Sequence, residues 1–334
     1  MRPSGDALSL NTIRERADAG LAVRLGAGGP ARFLVGVLGS VERRRQPNDP
    51  VIITDSGLAT TTDSTLRGRY RTTNATRIGL VAGVRAVSFV KAKGFDALEG
   101  VQDIGRGMQL ATTVGSTISG SVRGPFITAD FYTGVGAERS FLGLRTQVEA
   151  RRDNARWANI VSSGRLAWYS RPSARQTRLW SLEYVGAGRH DIPYQLTIDD
   201  PQSGIRGYAG SRVVGARRML LRAERRVVLP GISRYLGWGE AGFADAAQMW
   251  KGTVPYGTNG TRGSVGLSLL AAVPRESRSM ARVDFAFPFV PDDNAKDFSV
   301  RFTYTVAGRS FWREPWQLAR ARLGAVASDI FTWP

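Results

Sequence analysis

Long stretches of this chain alternate strictly between apolar and polar residues, and no other feature restricts its fold as much. The alternation is clearest in Leu142 to Arg151, Met280 to Val290 and Phe298 to Val306. Because successive side chains of a β-strand point to opposite faces, a period of two places every apolar residue of a stretch on one face. Helical periodicity is nearly absent. The sequence therefore predicts an all-β protein whose strands are apolar on one face and polar on the other.

The length of these stretches bears on two all-β architectures that share the alternation. In a soluble sandwich the apolar faces of two sheets meet, whereas in a membrane barrel the apolar face contacts lipid and the polar face lines the lumen. The stretches run for roughly 9 to 15 residues, while soluble strands are most often about 5 or 6 residues long and a tilted membrane-crossing strand needs about 9 to 11. Their length, and the aromatic residues near their ends, favour a transmembrane antiparallel β-barrel.

The pattern predicts about fourteen strands, with boundaries good to a few residues. The predicted strands are 18–27, 30–45, 64–73, 76–90, 104–116, 124–135, 138–152, 156–169, 175–188, 213–229, 234–248, 261–273, 278–288 and 297–311. Two charged residues break the alternation, since Arg225 and Glu240 both fall on the apolar face. A bulge in the glycine-rich run 237–242 would re-register Glu240, and Arg225 would extend to a membrane interface.

Composition excludes several kinds of functional site. The chain has no cysteine and one histidine, His190, which argues against disulfides, thiolate or histidine-ligated metals and a Ser-His-Asp triad. We therefore expect no cofactor, no metal and no enzymatic activity. No run of about 18 apolar residues occurs, so a transmembrane helix is excluded, and Met1 to Arg16 lacks the hydrophobic core of a signal peptide.

One pentapeptide in the long polar connection between His190 and Arg212 stands out, namely Gly204-Ile205-Arg206-Gly207-Tyr208. Glycines let the chain fold back sharply, and the guanidinium of Arg206 offers five donors in a rigid fork that suits a carboxylate or backbone oxygens. We interpret this connection as a loop that folds into the lumen of the barrel and is fixed there by Arg206. The alternative is a glycine-rich surface turn with a solvated arginine.

Further motifs follow the pentapeptide in a fixed order. The ordered set is Ile205-Arg206-Gly207-Tyr208, Glu224-x-Arg226, Phe243-x-Asp245, Gly263 to Leu267, and Arg282-Val283-Asp284. In this order the motifs resemble the barrel of the bacterial surface antigen superfamily, which includes BamA- and TamA-type assembly factors and the two-partner secretion translocators. Five predicted strands follow the loop here, the number in the sixteen-stranded family barrel.

The resemblance implies that Arg206 contacts the inner wall of the barrel, with Phe243 and Asp245 as its partners. It also implies that the loop meets further lumen-wall residues, namely Glu224, Arg226, Arg282 and Asp284. Independently, a buried guanidinium needs a carboxylate, and both Asp245 and Asp284 are candidates, of which we prefer Asp245. The alternative for either aspartate is a solvated position in the lumen. The resemblance also implies an aromatic residue that closes the last strand, here Phe311 or Trp312.

The resemblance further implies how the chain is organised. Since about fourteen strands are visible of a sixteen-stranded type, we expect residues 1–17 to be an N-terminal remnant or partial strand, 18–312 to form the barrel and 313–334 to be an extension. For the extension, disorder is preferred over a short interfacial helix containing Trp316 and Leu318. The periplasmic POTRA domains of the family are not recognised in the sequence.

The function implied by the resemblance is outer-membrane protein assembly or protein translocation, in the bacterial outer membrane. Its partners would be outer-membrane lipid and unfolded outer-membrane or secreted clients. One alternative is a passive channel that prefers anions, because arginines would line its lumen. These arginines are Arg145, Arg151, Arg165 and Arg301. A remote alternative is a soluble basic β-protein that binds nucleic acid, given a pI near 11.1. The arginines are spread singly rather than clustered, so no nucleic acid is expected.

Overall fold

The computed structural model describes residues 7–9, 11–26, 31–54, 57–60, 72–153, 156–190, 194–200, 204–211, 213–230, 235–254, 257–290, 297–307 and 314–322. In chain order these contain β1 (Ala7–Ser9), β2 (Ile13–Leu25), β3 (Arg32–Arg45), β4 (Val51–Thr54), β5 (Gly57–Thr60), β6 (Thr73–Lys93), β7 (Val101–Gly120), β8 (Gly124–Ala137), β9 (Ser140–Asp153), β10 (Arg156–Ser173), β11 (Gln176–Gly188), β12 (Leu196–Thr197), β13 (Val214–Gly215), β14 (Arg217–Val228), β15 (Gly237–Trp250), β16 (Gly260–Ala272), β17 (Ser279–Pro288), β18 (Ser299–Val306) and α1 (Trp316–Ala321).

One antiparallel sheet of thirteen strands contains nearly all of the regular structure. Its order is β18-β17-β16-β15-β14-β11-β10-β9-β8-β7-β6-β3-β2, so each strand pairs with the next long strand of the chain. Within the described residues, β2 and β18 are the two edges of the sheet and do not pair with each other. Two small sheets lie outside the large one. In β1-β4-β5, β1 precedes β2 and the other two strands lie in the β3–β6 connection, while β12-β13 lies in the β11–β14 connection. The prediction of an all-β, antiparallel protein is confirmed.

The predicted strands correspond closely to the observed sheet. Each of its thirteen strands overlaps one of them, and five, β14 to β18, follow the long loop as predicted. The remaining prediction, 64–73, falls almost wholly outside the described residues, and β3 pairs directly with β6, so no strand lies between these two. β2 begins at Ile13 rather than near residue 18, because its ladder with β3 continues to the pair Ile13 and Arg45.

The connections differ between the two ends of the sheet. At one end, which we call the short-turn end, β8–β9 and β10–β11 are joined by the two-residue turns 138–139 and 174–175. The longest connections, 46–72 and 189–213, lie at the opposite end, which we call the long-connection end. Among the described residues, no helix has both the length and the apolar character needed to span a membrane.

The sheet is strongly curved, as contacts of the segment 94–100 between β6 and β7 show. This segment contacts Tyr169 on β10, Thr177 on β11 and Arg226 on β14. It also reaches the β16–β17 turn through the ion pair of Glu99 with Arg275. Seven strand spacings separate β7 from β16 in the sheet order, which is roughly 30 Å or more in a flat sheet. The sheet therefore wraps around this segment, and we call the concave side its inner face.

The two faces of the sheet carry opposite kinds of side chain. The inner face buries charged residues, including Glu42, Arg77, Asp130, Glu149, Arg218, Glu224, Asp245 and Asp284. The outer face exposes large apolar residues, including Leu21, Val37, Leu80, Ile118, Val148, Leu221, Leu267, Phe287 and Phe302. In a soluble sandwich a second sheet would cover the apolar face, but among the described residues the outer face has no such cover. The structure therefore has the inside-out distribution of the barrel alternative.

Candidate functional site

Residues 194–200 and 204–211 lie against the inner face, anchored by apolar side chains. Tyr194, Leu196, Ile198, Ile205 and Tyr208 are all buried in one cluster with residues of β10, β11, β14 and β15. Within the segment, the amide of Ile205 donates to the carbonyl of Ile198 at 3.0 Å. The interpretation as an inward-folded loop therefore describes the observed position of these residues, and the surface-turn alternative is wrong.

The glycines of the pentapeptide are required by close backbone approaches. A Cβ at Gly204 would collide with backbone atoms of Ile198 and Asp200. Gly207 has a φ of +94°, in the region that favours glycine, and a Cβ there would lie 3.2 Å from that of Ser264 on β16. These two glycines let the chain reverse its direction against the inner face of the sheet, so that the Arg206 side chain points toward that face.

Arg206 is buried, with 4% of its surface exposed, and its guanidinium is fully engaged. Its Nε and Nη2 donate to the two carboxylate oxygens of Asp245 at 2.7 and 2.6 Å, and its Nη1 donates to Glu224 at 2.8 Å. The guanidinium carbon lies 3.6 Å from the ring centroid of Phe243, a cation–π contact. Burial alone would lower the pKa of Arg206, but the hydrogen bonds and charges of Asp245 and Glu224 raise it, so the group stays charged.

Glu224 is shared by three guanidinium groups. Besides Arg206, Nε of Arg226 donates to it at 2.5 Å and Nη1 of Arg282 donates to it at 2.9 Å. Because these cations come from the loop, from β14 and from β17, one carboxylate joins three parts of the molecule. Asp284, the other candidate partner of Arg206, is 4.0 Å from the Arg206 guanidinium and instead forms an ion pair with Arg282.

Several members of this cluster, which we call the Arg206 cluster, were not predicted. Ser268 on β16 donates its hydroxyl to Asp284 at 2.7 Å and accepts from Arg282 at 2.7 Å. Arg222 on β14 donates to the carbonyl of Gly204 at 2.5 Å. The position of Ser268, directly after the motif Gly263 to Leu267 and facing inward, was the only sequence signal for its role.

Tyr208 holds the loop against the ends of β16 and β17. Its hydroxyl donates to the carbonyl oxygens of Gly263 and Val290, at 3.0 and 3.1 Å, and the side chain is fully buried. Both acceptors lie toward the long-connection end of β16 and β17. The four loop residues Ile205, Arg206, Gly207 and Tyr208 therefore contact β14 to β17 together.

A second inward segment, residues 94–100, approaches from the short-turn end and was not predicted. Phe95 is fully buried and stacks on Tyr169, with ring centroids 5.0 Å apart. The carbonyl of Phe95 accepts from Arg226 at 2.6 Å, and the carboxylate of Asp96 accepts from the Tyr169 hydroxyl at 2.6 Å. Arg226 thus bonds both this segment and Glu224, and so links it to the Arg206 cluster.

The C-terminal region contributes a third inward element. In α1, Leu318 and Ala321 are fully buried in the apolar cluster of the loop, and the carbonyl of Ala321 accepts from Nε2 of His190 at 2.8 Å. Arg322 donates to Ser163 on β10 at 3.0 Å. For residues 314–322 the preferred prediction of disorder is therefore wrong, because this helix has apolar and polar partners on the inner face. Phe311 and Trp312 lie outside the described residues.

The contacts in this region attach chain segments to the inner face of the sheet. Among the described residues no cluster of His, Asp or Glu could hold a metal ion. The charged groups of the Arg206 cluster are used in pairing with one another, and His190 donates to a backbone carbonyl. The arrangement holds three chain segments inside a curved sheet at fixed positions.

Comparisons with known proteins add little to these observations. No family model matches the chain, and no curated protein matches it. Among solved structures, a match covers 91% of this chain and 85% of Wzi, described as an outer membrane protein involved in group 1 capsule assembly in Escherichia coli and a carbohydrate-binding β-barrel. The identity is 9% and the TM-score is 0.31, so this likeness does not establish a shared fold.

Proposed function

We propose that this protein is a bacterial outer-membrane β-barrel whose outer face contacts lipid. The observation that carries this proposal is the inside-out distribution of side chains, because an exposed apolar face and a buried charged face match a lipid exterior and a polar lumen. Aromatic residues also lie toward both ends of the outer face, as membrane-interface belts require. They are Trp168, Trp180 and Trp238 toward the short-turn end, and Trp157, Phe287 and Phe289 toward the other.

Within that class, the proposal is a barrel of the surface antigen type that acts in outer-membrane protein assembly or in protein translocation. The Arg206 cluster supports it, because the residues of the ordered motifs contact one another across β14, β15 and β17. Within the part of the chain that the structure describes, β2 and β18 are unpaired edges, which is consistent with a barrel whose first and last strands form its weakest junction.

The passive anion channel receives less support. Of the four lumen arginines, Arg145 pairs with Asp130, Arg165 with Glu183 and Arg301 with Asp284. Neutralised cations attract anions weakly. The loop, the 94–100 segment and α1 also occupy the inner face, where an open pore needs free space.

Membrane insertion is tested by refolding the chain from urea into phosphatidylcholine vesicles. We expect the protein to float with the vesicles on a density gradient and to migrate faster on a gel before boiling than after it. A chain that stays in the aqueous fraction, folded and bound to DNA in a salt-sensitive manner, would overturn the proposal in favour of the soluble basic binder.

The assembly function is tested with the same vesicles and an unfolded outer-membrane barrel as client. We expect the client to fold faster in vesicles that contain this protein than in empty vesicles, and the Arg206→Ala variant to lose that acceleration. The Asp130→Asn variant, which breaks the Arg145 ion pair elsewhere on the inner face, serves as the matched control. Large anion-selective conductance in planar bilayers without any effect on the client would favour the channel instead.

A further inference from the structure

Two arginines face each other directly on the apolar outer face. Arg178 on β11 and Arg225 on β14 are register partners in the antiparallel ladder, and both are exposed. Toward the middle of the sheet, their outward-facing neighbours along the two strands are apolar. Trp180 follows Arg178 at 49% exposure, and Ala223 and Leu221 precede Arg225. The pair is thus a doubly charged point that borders apolar outward-facing residues.

The positive charges of Arg178 and Arg225 repel each other across the two strands. Like charges directly opposite on neighbouring strands destabilise a sheet, and guanidinium groups do not lose their protons in proteins. Among the residues that the structure describes, neither arginine forms an ion pair, and Arg225 donates only to the side-chain oxygen of Gln176 at 3.3 Å. Glu240 lies diagonally across on β15, two positions from the partner of Arg225, and forms no ion pair with it.

The depth of the pair matches that of a lipid headgroup. Arg178 lies near the start of β11 and Arg225 near the end of β14, so both are within a few residues of the short-turn end. At about 3.3 Å per residue this places them roughly 7 to 10 Å from the strand ends. Trp168 and Trp180, themselves register partners, are exposed just beyond the pair toward the middle of the sheet. Tryptophan is enriched at the level of the headgroups.

We propose that Arg178 and Arg225 together bind the phosphate of an anionic glycerophospholipid in the leaflet at the short-turn end. Opposite residues on paired antiparallel strands have Cβ atoms about 4.5 to 5.5 Å apart, so two guanidinium forks can hold one phosphodiester from both sides. Two cations and one phosphate leave a positive excess, which selects a lipid with a net negative charge over one whose headgroup carries its own cation. Phosphatidylglycerol fits this chemistry. The inference rests on the proposed membrane location.

The test uses the folded protein in a zwitterionic detergent, titrated with phosphatidylglycerol or phosphatidylcholine and examined by native mass spectrometry for retained lipid. Each arginine near an anionic lipid surface contributes about a fivefold gain in binding, so we expect roughly fivefold weaker retention of phosphatidylglycerol in R178Q or R225Q and about 25-fold weaker retention in the double variant. The matched control is R217Q, since Arg217 is exposed on the same face of β14 near its opposite end, opposite Gly186.

Each outcome of this experiment either supports or contradicts a lipid-phosphate site at Arg178 and Arg225. Selective loss of phosphatidylglycerol in the double variant, with R217Q unchanged, supports the proposal. Displacement of the lipid by millimolar inorganic phosphate alone would show a free-phosphate site and overturn it, as would equal retention in all variants. The wild type and the same variants are also floated with vesicles. A wild type that does not float refutes the membrane proposal itself. A wild type that floats but shows no lipid selectivity refutes only the lipid site at Arg178 and Arg225.

Discussion

The 204–211 segment and the 94–100 segment enter the inner face from opposite ends and are held there by different chemistry. The first is held by the packing of Ile205 and Tyr208 and by one buried cation, Arg206, which Asp245 and Glu224 surround. The second depends on a stacked aromatic ring, Phe95, and on backbone carbonyl groups that accept from the wall. The difference teaches that a buried charge fixes a loop in one orientation, while an aromatic anchor fills space and tolerates adjustment.

The two segments nevertheless share a connection. Arg226 donates to Glu224 on one side and to the carbonyl of Phe95 on the other, so the chain Arg206–Glu224–Arg226–Phe95 runs from one segment to the other. Loss of Asp245 should release only the first segment, whereas loss of the Glu224 charge should loosen both. The predictions below separate these contributions.

The largest effect is expected from Arg206→Ala. Removing the cation leaves Asp245 and Glu224 buried with too little positive charge, which typically costs about 3 to 5 kcal/mol. Urea unfolding of vesicle-embedded protein, followed by tryptophan fluorescence, measures the loss. Arg145→Ala is the comparison, because Arg145 pairs with Asp130 but is itself partly exposed. Equal losses in the two variants would contradict the special role given to Arg206.

A somewhat smaller loss, about 3 kcal/mol, is expected from Phe95→Ala, because removal of a fully buried ring leaves a cavity against Tyr169. Phe95→Leu should recover more than half of that loss, since it refills most of the volume. The same unfolding measurement applies to both variants. If leucine recovers nothing, the 94–100 segment is not held by packing and the contrast with the Arg206 segment fails.

The shared role of Glu224 is tested with reporter cysteines, since the natural chain has none. Ala97→Cys reports on the 94–100 segment and Ser211→Cys on the loop, as both positions are buried. With a charge-assisted hydrogen bond worth about 1.5 to 3 kcal/mol, Glu224→Gln should raise maleimide labelling at least tenfold at both cysteines. Asp245→Asn should raise it only at the loop cysteine. Increased labelling of both cysteines by Asp245→Asn would refute the separation.

The smallest effect is expected from Tyr208→Phe. The change removes a hydroxyl that donates to two backbone carbonyls and keeps the ring, so we expect a loss of about 1 kcal/mol and an unchanged loop position. Unfolding in urea measures the first, and labelling of the Ser211→Cys reporter checks the second. A labelling increase as large as that of Asp245→Asn would show that Tyr208, and not the charge of Arg206, fixes the loop.

The sequence predicted the strands better than it predicted the inner segments, for a physical reason. Alternation is a local property, so β8 to β11 and β14 to β17 could be found within a few residues of their true bounds. The contacts of Arg206 with Asp245 were expected because a buried guanidinium needs a carboxylate and the motifs named one. The burial of Phe95 depends on residues far along the chain, such as Phe141 and Tyr169, and no local pattern encodes it.

The position of α1 was missed for a similar reason. Six helical residues carry too weak a periodic signal to be separated from a disordered tail, and the burial of Leu318 arises from Tyr194, Leu196 and Ile198 of a distant loop. The sharing of Glu224 by three cations was also not predicted, although Glu224, Arg226 and Arg282 were each expected to face the loop. The second and third partners of Glu224 come from β17 and from the loop.

Among the described residues the large sheet has thirteen strands, and this odd number determines how its two edges relate. In an antiparallel sheet each strand reverses the direction of the one before, so an odd total leaves β2 and β18 pointing the same way. If β2 and β18 paired directly with each other, they would form a parallel ladder, whose hydrogen bonds are slanted and slightly weaker. One additional strand of opposite direction would instead find a well-matched hydrogen-bonding edge on either side.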